Sequence, residues 1–161
     1  MISVCISTYN GEQFIFKQLD SILSQIGLND EVIISDDGSK DNTINIIKSF
    51  NDKRIKLFFR KKTPSLVRNF ENAIQKAVGE YIFLADQDDI WIKNKVSETL
   101  KYLNKYDLVI SDCILINENE KVINKSYFQI IKSRKGIIRN IVKNSYLGCC
   151  MAFKKNLIQG L

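Results

Sequence analysis

The strongest constraint on the fold is the alternation of two hydrophobic periods along the first 110 residues. Five short runs rich in β-branched residues predict strands, at residues 2–7, 31–35, 54–59, 81–85 and 108–111. Apolar residues at helical spacing lie between these runs, so a helix is expected after each of the first four strands. Repeated β-α-β-α units predict an α/β fold with a mainly parallel sheet and helices on both faces.

The third predicted helix has a defined start and end. Ser65 is expected to be its N-cap and Gly79 its stop signal, because these residue types are preferred at those positions. The inner face of this helix is predicted to carry Leu66, Phe70, Ile74 and Ala77.

Beyond residue 112 the alternation gives way to a different pattern. Apolar residues at 114–116 and 122–123 flank a polar segment, which predicts an antiparallel hairpin. A helix is expected around residues 137–142 and a strand over residues 149–153.

Composition points to one globular domain. The 161 residues are 45% hydrophobic and 26% charged, which is ordinary for a globular chain with its own core. No apolar run approaches the roughly 20 residues that span a bilayer. Residues 1–7 lack the features of a signal peptide, and four cysteines without CxxC spacing suggest reduced thiols, so a cytoplasmic location is expected.

Charge and missing residue types exclude several classes of site. The net charge of +6 includes two basic clusters, at residues 60–62 and 132–135, that predict contact with an anionic membrane surface or a solvated face. No nucleic-acid-binding signature is present. The chain has no histidine, which excludes histidine-based zinc sites and triads, and it lacks both GxGxxG and GxxxxGK[ST] phosphate loops.

Polar residues follow three of the predicted strands, at residues 7–11, 36–39 and 86–89. Ligands of open α/β sheets bind outside the carboxyl ends of strands, so the three segments are expected to form one site. Asp86, Asp88 and Asp89 repel one another, and a divalent cation carrying phosphate oxygens would relieve this repulsion. Taken alone, the cluster is more typical of a solvated acidic turn or a helix N-cap.

The other two segments offer groups that suit a nucleotide. Thr8 and Tyr9 provide a hydroxyl and an aromatic face for a base, and Asp37 can accept hydrogen bonds from a base or a ribose. Thr8 and Tyr9 could instead belong to a turn, and Asp37 could instead cap the next helix. Asp41 could fill that capping role in place of Asp37. Arg68 could pair with phosphate or could lie on a solvated helix face.

Together these motifs resemble glycosyltransferase family 2, the inverting sugar transferases of GT-A fold. The resemblance covers roughly the first 115 residues and rests on five motifs in order, VCISTYNG at 4–11, IISDDGSKD at 33–41, RNF at 68–70, GEYI at 79–82 and ADQDDIW at 85–91. The last motif is similar to that of bacterial rhamnosyltransferase-like members. A haloacid-type phosphatase also has DxD after a strand, but its later motifs are missing here.

The resemblance implies a GT-A-type fold, with a mainly parallel Rossmann-like sheet and an added antiparallel hairpin. It implies a single domain over residues 1–161, with a nucleotide-sugar-binding half at 1–112 and an incomplete acceptor half at 113–161. By position, Thr8, Tyr9, Asp37, Arg68 and Asp86 would bind the nucleotide-sugar. Asp88 and Asp89 would hold Mn²⁺ or Mg²⁺, and Trp91 would pack the loop.

The implied reaction is metal-dependent, inverting transfer of a sugar from a UDP- or dTDP-sugar to an acceptor hydroxyl. The acceptor would be a glycan or a lipid-linked molecule of the bacterial cell envelope, reached at the inner face of the membrane. The family's acidic general base has no match in the chain and is expected beyond Leu161. A non-catalytic nucleotide-sugar-binding fragment is therefore the alternative interpretation.

Overall fold

A six-stranded sheet with helices on both faces forms the centre of the structure, a computed structural model that describes residues 1–60, 63–132 and 146–158. The strands are β1 (Ile2–Thr8), β2 (Glu31–Asp36), β3 (Ile55–Phe59), β4 (Tyr81–Asp86), β5 (Leu108–Ile110), β6 (Leu115–Ile116), β7 (Val122–Asn124) and β8 (Met151–Lys154). The α-helices are α1 (Ile15–Leu23), α2 (Thr43–Ser49), α3 (Leu66–Lys76), α4 (Lys95–Leu103) and α5 (Tyr127–Ile130).

The strand order is β3-β2-β1-β4-β8-β5. Strands β1 to β4 are parallel to one another, and β8 enters antiparallel between β4 and β5. All seven residues of β1 are buried, because helices cover both faces of this central strand. Strands β6 and β7 form the separate antiparallel hairpin that the sequence predicts.

Two apolar layers hold the helices against the sheet. On one face, Leu19 of α1, Ile47 of α2 and Leu103 of α4 belong to a single buried cluster. On the other face, Ala73 and Ala77, at the end of α3, pack on Cys5 with Ile33 and Ile82. The alternation of strand and helix in the sequence is thus confirmed by helices on both sides of a mostly parallel sheet.

One prediction near the chain's C-terminus changes, and one helix there was not predicted. The last strand begins at Met151 rather than 149, because Cys149 and Cys150 lie in a short 3₁₀ turn, Gly148–Cys150, that turns the chain into β8. Helix α5, capped by the Ser126 side chain, was not predicted from the sequence. The helix expected around residues 137–142 lies outside the described residues.

Helix α3 also differs from its prediction. Ser65 is the N-cap, as expected, but the helix ends at Lys76 and Gly79 is not its stop. A Cβ on Gly79 would lie 2.7 Å from the backbone nitrogen of Ser3, so this glycine instead permits close approach to β1. Leu66, which was predicted to face inward, is 62% exposed, because the first turn of α3 borders the cleft described below.

Arg60 is the residue of the basic cluster at 60–62 that the structure describes, and its side chain does not lie on an open surface. The Arg60 side chain is only 11% exposed, because it folds back onto an aspartate of the sheet edge. Its neighbours at 61 and 62, and residues 133–135 of the second cluster, lie outside the described residues. Among the helices that the structure describes, none combines the length and apolar character needed to cross a bilayer.

Candidate functional site

The carboxyl ends of β1, β2 and β4 meet at one edge of the sheet. Thr8 lies opposite Asp36 of β2, and Ser7 lies opposite Asp86 of β4, so the three following loops are brought together. They border a cleft of about 410 Å³, lined among others by Tyr9, Asp37, Ser65, Asn69, Asp86 and Asp88. The prediction that the three polar segments share one edge is therefore confirmed by the strand register.

Asp36 organises the loop after β2. It is 1% exposed, and its carboxylate accepts hydrogen bonds from the backbone N–H groups of Gly38 and Ser39 and from the hydroxyls of Ser39 and Thr8. Gly38 has a φ of 89°, in the left-handed region that favours glycine. Asp36 therefore has a structural role, which leaves its neighbour Asp37 facing the cleft.

Asp37 is held from two sides. One carboxylate oxygen accepts a hydrogen bond from Nε of Arg60, and the other accepts one from the backbone N–H of Ser65. Both side chains of the ion pair are nearly buried, with 3% exposure for Asp37 and 11% for Arg60. Asp37 does not cap α2, where the Asp41 carboxylate accepts the N–H and the hydroxyl of Thr43 instead.

Thr8 and Tyr9 take different positions at the end of β1. The Thr8 hydroxyl is buried and donates to Asp36, so it points into the loop network. Tyr9 is 44% exposed and lines the cleft with an aromatic ring that is available to a ligand. Asn10 follows with a φ of 50°, which turns the chain toward α1.

The acidic segment after β4 brings two carboxylates together. Ligand atoms of Asp86, Asp89 and Cys149 lie within 4.8 Å of one another. Burial, followed by the charge of Asp89, raises the pKa of Asp86, and burial also raises the pKa of Asp89. Hydrogen bonds with the Cys149 thiol offset part of both shifts.

The raised pKa values determine how the stability of the fold changes with pH. Above the ordinary aspartate pKa of 3.8, the unfolded chain releases these protons before the folded protein does. Fold stability therefore falls as the pH rises from 3.8 through the native pKa values, and it stays lower above them. A bound divalent cation would reverse this loss, and the carboxylate oxygens are the donors that Mg²⁺ and Mn²⁺ accept, so the residues fit such an ion.

Asp88 and Trp91 occupy different parts of the same loop. Asp88 is exposed and lines the cleft, outside the group formed by Asp86, Asp89 and Cys149. Trp91 is buried against Phe83, with ring centroids 5.8 Å apart, which anchors the end of the loop in the core. The loop thus presents Asp88 to the cleft from a fixed base.

Helix α3 presents Asn69 to the cleft rather than Arg68. Arg68 is exposed and is not among the residues that line the cleft. Asn69 is 1% exposed, and its Nδ2 donates to the Ser7 hydroxyl and the Thr8 carbonyl. Its Oδ1 is buried and has no hydrogen-bond partner among the described residues.

Sequence reasoning missed four residues at this site. In the sequence, Asn69 appears only as part of the RNF motif at 68–70, and Arg60 only as part of the basic cluster at 60–62. Gln87 appears only as the residue between Asp86 and Asp88. Cys149 was placed in a strand. Pairing the second and third predicted strands could have found Arg60, because a register that sets Phe59 opposite Asp36 places Arg60 beside Asp37.

Comparisons with known proteins agree with this geometry. A sequence profile of Glycosyl transferase family 2 matches residues 3–161. The chain is 29% identical over 151 residues to the Escherichia coli UDP-Glc:alpha-D-GlcNAc-diphosphoundecaprenol beta-1,3-glucosyltransferase WfgD, covering 92% of this chain and 58% of that protein.

Two solved structures show the same fold. Staphylococcus aureus TarS 1–349 in complex with UDP-GlcNAc superposes with a TM-score of 0.73 at 22% identity, over 99% of this chain and 46% of that one. The mannosyltransferase PcManGT of Pyrobaculum calidifontis, in complex with GDP-Man and Mn²⁺, gives a TM-score of 0.70 at 18% identity, over 99% and 46%. The chain spans about half the length of these three proteins. It belongs to glycosyltransferase family 2 and has the α/β architecture of the GT-A fold, with a mostly parallel six-stranded sheet and a separate antiparallel hairpin.

Proposed function

We propose that this chain binds the nucleotide-sugar donor of an inverting, divalent-cation-dependent glycosyltransferase. The supporting observation is the single cleft that has an aromatic ring and a held carboxylate on one side and an acidic loop on the other. In this proposal residues 1–112 form the nucleotide-sugar-binding half, and residues 113–161 belong to the acceptor half.

The side formed by β1 and β2 would bind the nucleoside. Tyr9 offers its ring for stacking on the base. Asp37, oriented by Arg60 and Ser65, retains acceptor capacity for a base N–H or a ribose hydroxyl, because each carboxylate oxygen can accept more than one hydrogen bond. Thr8 would support this side by fixing the loop through Asp36.

The side formed by the loop after β4 would bind the diphosphate. Asp86 is proposed to contact the ribose, and Asp88 and Asp89 are proposed to hold Mn²⁺ or Mg²⁺, with Arg68 reaching the phosphates from the exposed face of α3. When bound, the cation neutralises the charge that develops on the diphosphate leaving group. The Asp86 and Asp89 carboxylates contribute the negative charge that attracts it, and Trp91 keeps their loop in place.

The relatives suggest the substrate class. The name of WfgD specifies a UDP-glucose donor and a diphosphoundecaprenol-linked acceptor, and TarS was solved with UDP-GlcNAc. By extension, the donor proposed here is a UDP- or dTDP-sugar and the acceptor is a glycan or a lipid-linked hydroxyl at the inner face of the bacterial membrane. The product would enter a cell-envelope polysaccharide.

Calorimetry tests the donor-binding half of this proposal. We expect the chain to bind UDP more tightly in Mn²⁺ than in EDTA, and Asp88→Ala to lose the difference between the two. Glu98→Ala removes an exposed acidic side chain on α4 and should leave both affinities unchanged. A wild-type chain that binds UDP in neither buffer would show that the cleft is not a nucleotide site.

A further inference from the structure

Gln87, the residue between Asp86 and Asp88, reaches across to the other side of the cleft. Its Oε1 accepts a hydrogen bond from the Tyr9 backbone N–H at 3.0 Å, and its Nε2 donates to the Tyr9 carbonyl at 3.2 Å. One side-chain amide thus satisfies both backbone groups of Tyr9, a residue 78 positions earlier in the chain. A side-chain amide carries a donor and an acceptor on neighbouring atoms, which suits this pairing with one residue's N–H and C=O.

Gly11 leaves room for this pairing. A Cβ built on Gly11 would lie 2.3 Å from Oε1 and 2.6 Å from Cδ of Gln87. The backbone of Gly11 is outside the left-handed region, so the position requires glycine for space rather than for conformation. A methyl group there would displace the flexible end of Gln87 and leave the backbone in place.

Other contacts of the Tyr9 loop tie it to the segment that follows β2. Asn10 bonds with Ser39 and with the backbone of Lys40, and the Gly11 N–H donates to the Thr43 hydroxyl, so this loop is tied to the loop after β2. The Gln87 amide joins this pair of loops to the acidic loop after β4.

We infer that Gln87 is a positioning residue, which fixes the nucleoside side of the cleft relative to the diphosphate side. The inference rests on the proposed function, because its consequence concerns a ligand that spans both sides. When the spacing is rigid, a nucleoside diphosphate can occupy both subsites without first ordering the loops. The binding free energies of the two subsites then add with little loss. Without the amide, each subsite keeps its own contacts with the ligand, but the spacing between the two subsites is no longer fixed.

Three ligands separate these effects in the full 161-residue chain. Uridine contacts the nucleoside side alone, Mn²⁺ with pyrophosphate contacts the acidic side alone, and UDP with Mn²⁺ contacts both. In Gln87→Ala we expect UDP affinity to fall about tenfold, as two lost hydrogen bonds allow. Uridine and pyrophosphate affinities, measured by NMR titration and calorimetry, should change less than about twofold.

Gly11 provides an independent perturbation of the same contact. Gly11→Ala alone should also weaken UDP binding about tenfold, because its methyl group displaces the Gln87 amide. In a Gln87→Ala background the methyl group meets no amide, so Gly11→Ala should add nothing further. Gly27→Ala is the matched control, since its Cβ would meet only a 3.4 Å contact with Asp30 and lies away from the cleft.

Three results would overturn the inference while the wild-type chain binds UDP. These are an unchanged UDP affinity in Gln87→Ala, a uridine affinity that falls as far as the UDP affinity, and a double variant whose loss is the product of the two single losses. A loss of uridine binding would mean that Gln87 only folds the Tyr9 loop. A wild-type chain that binds no UDP would overturn the proposed function itself, and this inference with it.

Discussion

The ion pair between Arg60 and Asp37 is expected to dominate the stability of the cleft. Arg60→Met keeps most of the aliphatic stem but removes the guanidinium, which leaves the Asp37 carboxylate 3% exposed and without its cation. Removing one partner of a buried pair costs about 3–5 kcal/mol. Because the Ser65 N–H still donates to Asp37, we expect the lower end of this range, about 3 kcal/mol.

Thermal and urea unfolding both measure this change. For a chain of this size, 1 kcal/mol shifts the melting temperature by about 2–4 °C, so Arg60→Met should melt about 6–12 °C below the wild type. The matched control is Lys101→Met, which breaks an exposed pair with Glu98 and should cost no more than about 0.5 kcal/mol. The double variant Arg60→Met with Asp37→Asn should recover part of the loss, because it leaves no unpaired buried charge.

The reasoning fails if Arg60→Met is no more destabilising than Lys101→Met. It also fails if the double variant is as unstable as the sum of its two single variants, since the pair would then carry no coupling energy. A drop in UDP affinity without a drop in stability would mean that Arg60 contacts the ligand directly, rather than holding Asp37.

Three further substitutions test other parts of the structure. Asp89→Asn should raise the metal-free melting temperature at neutral pH, because it removes a carboxylate whose pKa is raised by burial. The same substitution should reduce the stabilisation by Mn²⁺. A lower melting temperature without metal would contradict this prediction. Glu31→Leu should cost about 3 kcal/mol in urea unfolding, because the buried Ser3 hydroxyl and the Val78 backbone N–H both lose their acceptor. Gly79→Ala should cost about 1–3 kcal/mol, because its Cβ would meet the Ser3 backbone, and a neutral result would show that β1 can move away.

Most of the fold follows from local hydrophobic patterns. The central parallel strands β1 and β2 are buried on both faces, so each appears in the sequence as a largely apolar run, and the helices between the strands show one apolar face. The insertion of β8 between β4 and β5 is not visible in this way, because strand order depends on pairing between residues about 70 apart, as in Phe83 with Ala152. The 3₁₀ turn at Cys149 is also not visible in the sequence, because its two cysteines are as apolar as the residues of a strand.

The candidate site was predictable at the level of loops but not of single contacts. The strand ends are fixed by topology, so the segments that carry Tyr9, Asp37 and Asp86 had to meet. Which side chain faces the cleft depends on helix phase and loop hydrogen bonds, and on α3 it is Asn69, not the exposed Arg68, that lines the cleft. A contact such as that of Gln87 with the Tyr9 backbone leaves no periodic trace in the sequence.

The partners of each carboxylate show where an added cation is needed. Asp36 is surrounded by four hydrogen-bond donors, and Asp37 is paired with Arg60 and a backbone N–H, so the protein itself compensates both charges. Asp86 and Asp89 share the weak thiol donor of Cys149, and burial raises the pKa of both carboxyls. The charge of Asp89 raises the pKa of Asp86 further, so the described residues do not compensate these two charges in the same way. These four aspartates therefore divide into a structural residue, Asp36, a held acceptor, Asp37, and an incompletely compensated pair, Asp86 and Asp89. This pair lies at the end of β4, where the proposed cation on the diphosphate would supply the missing positive charge.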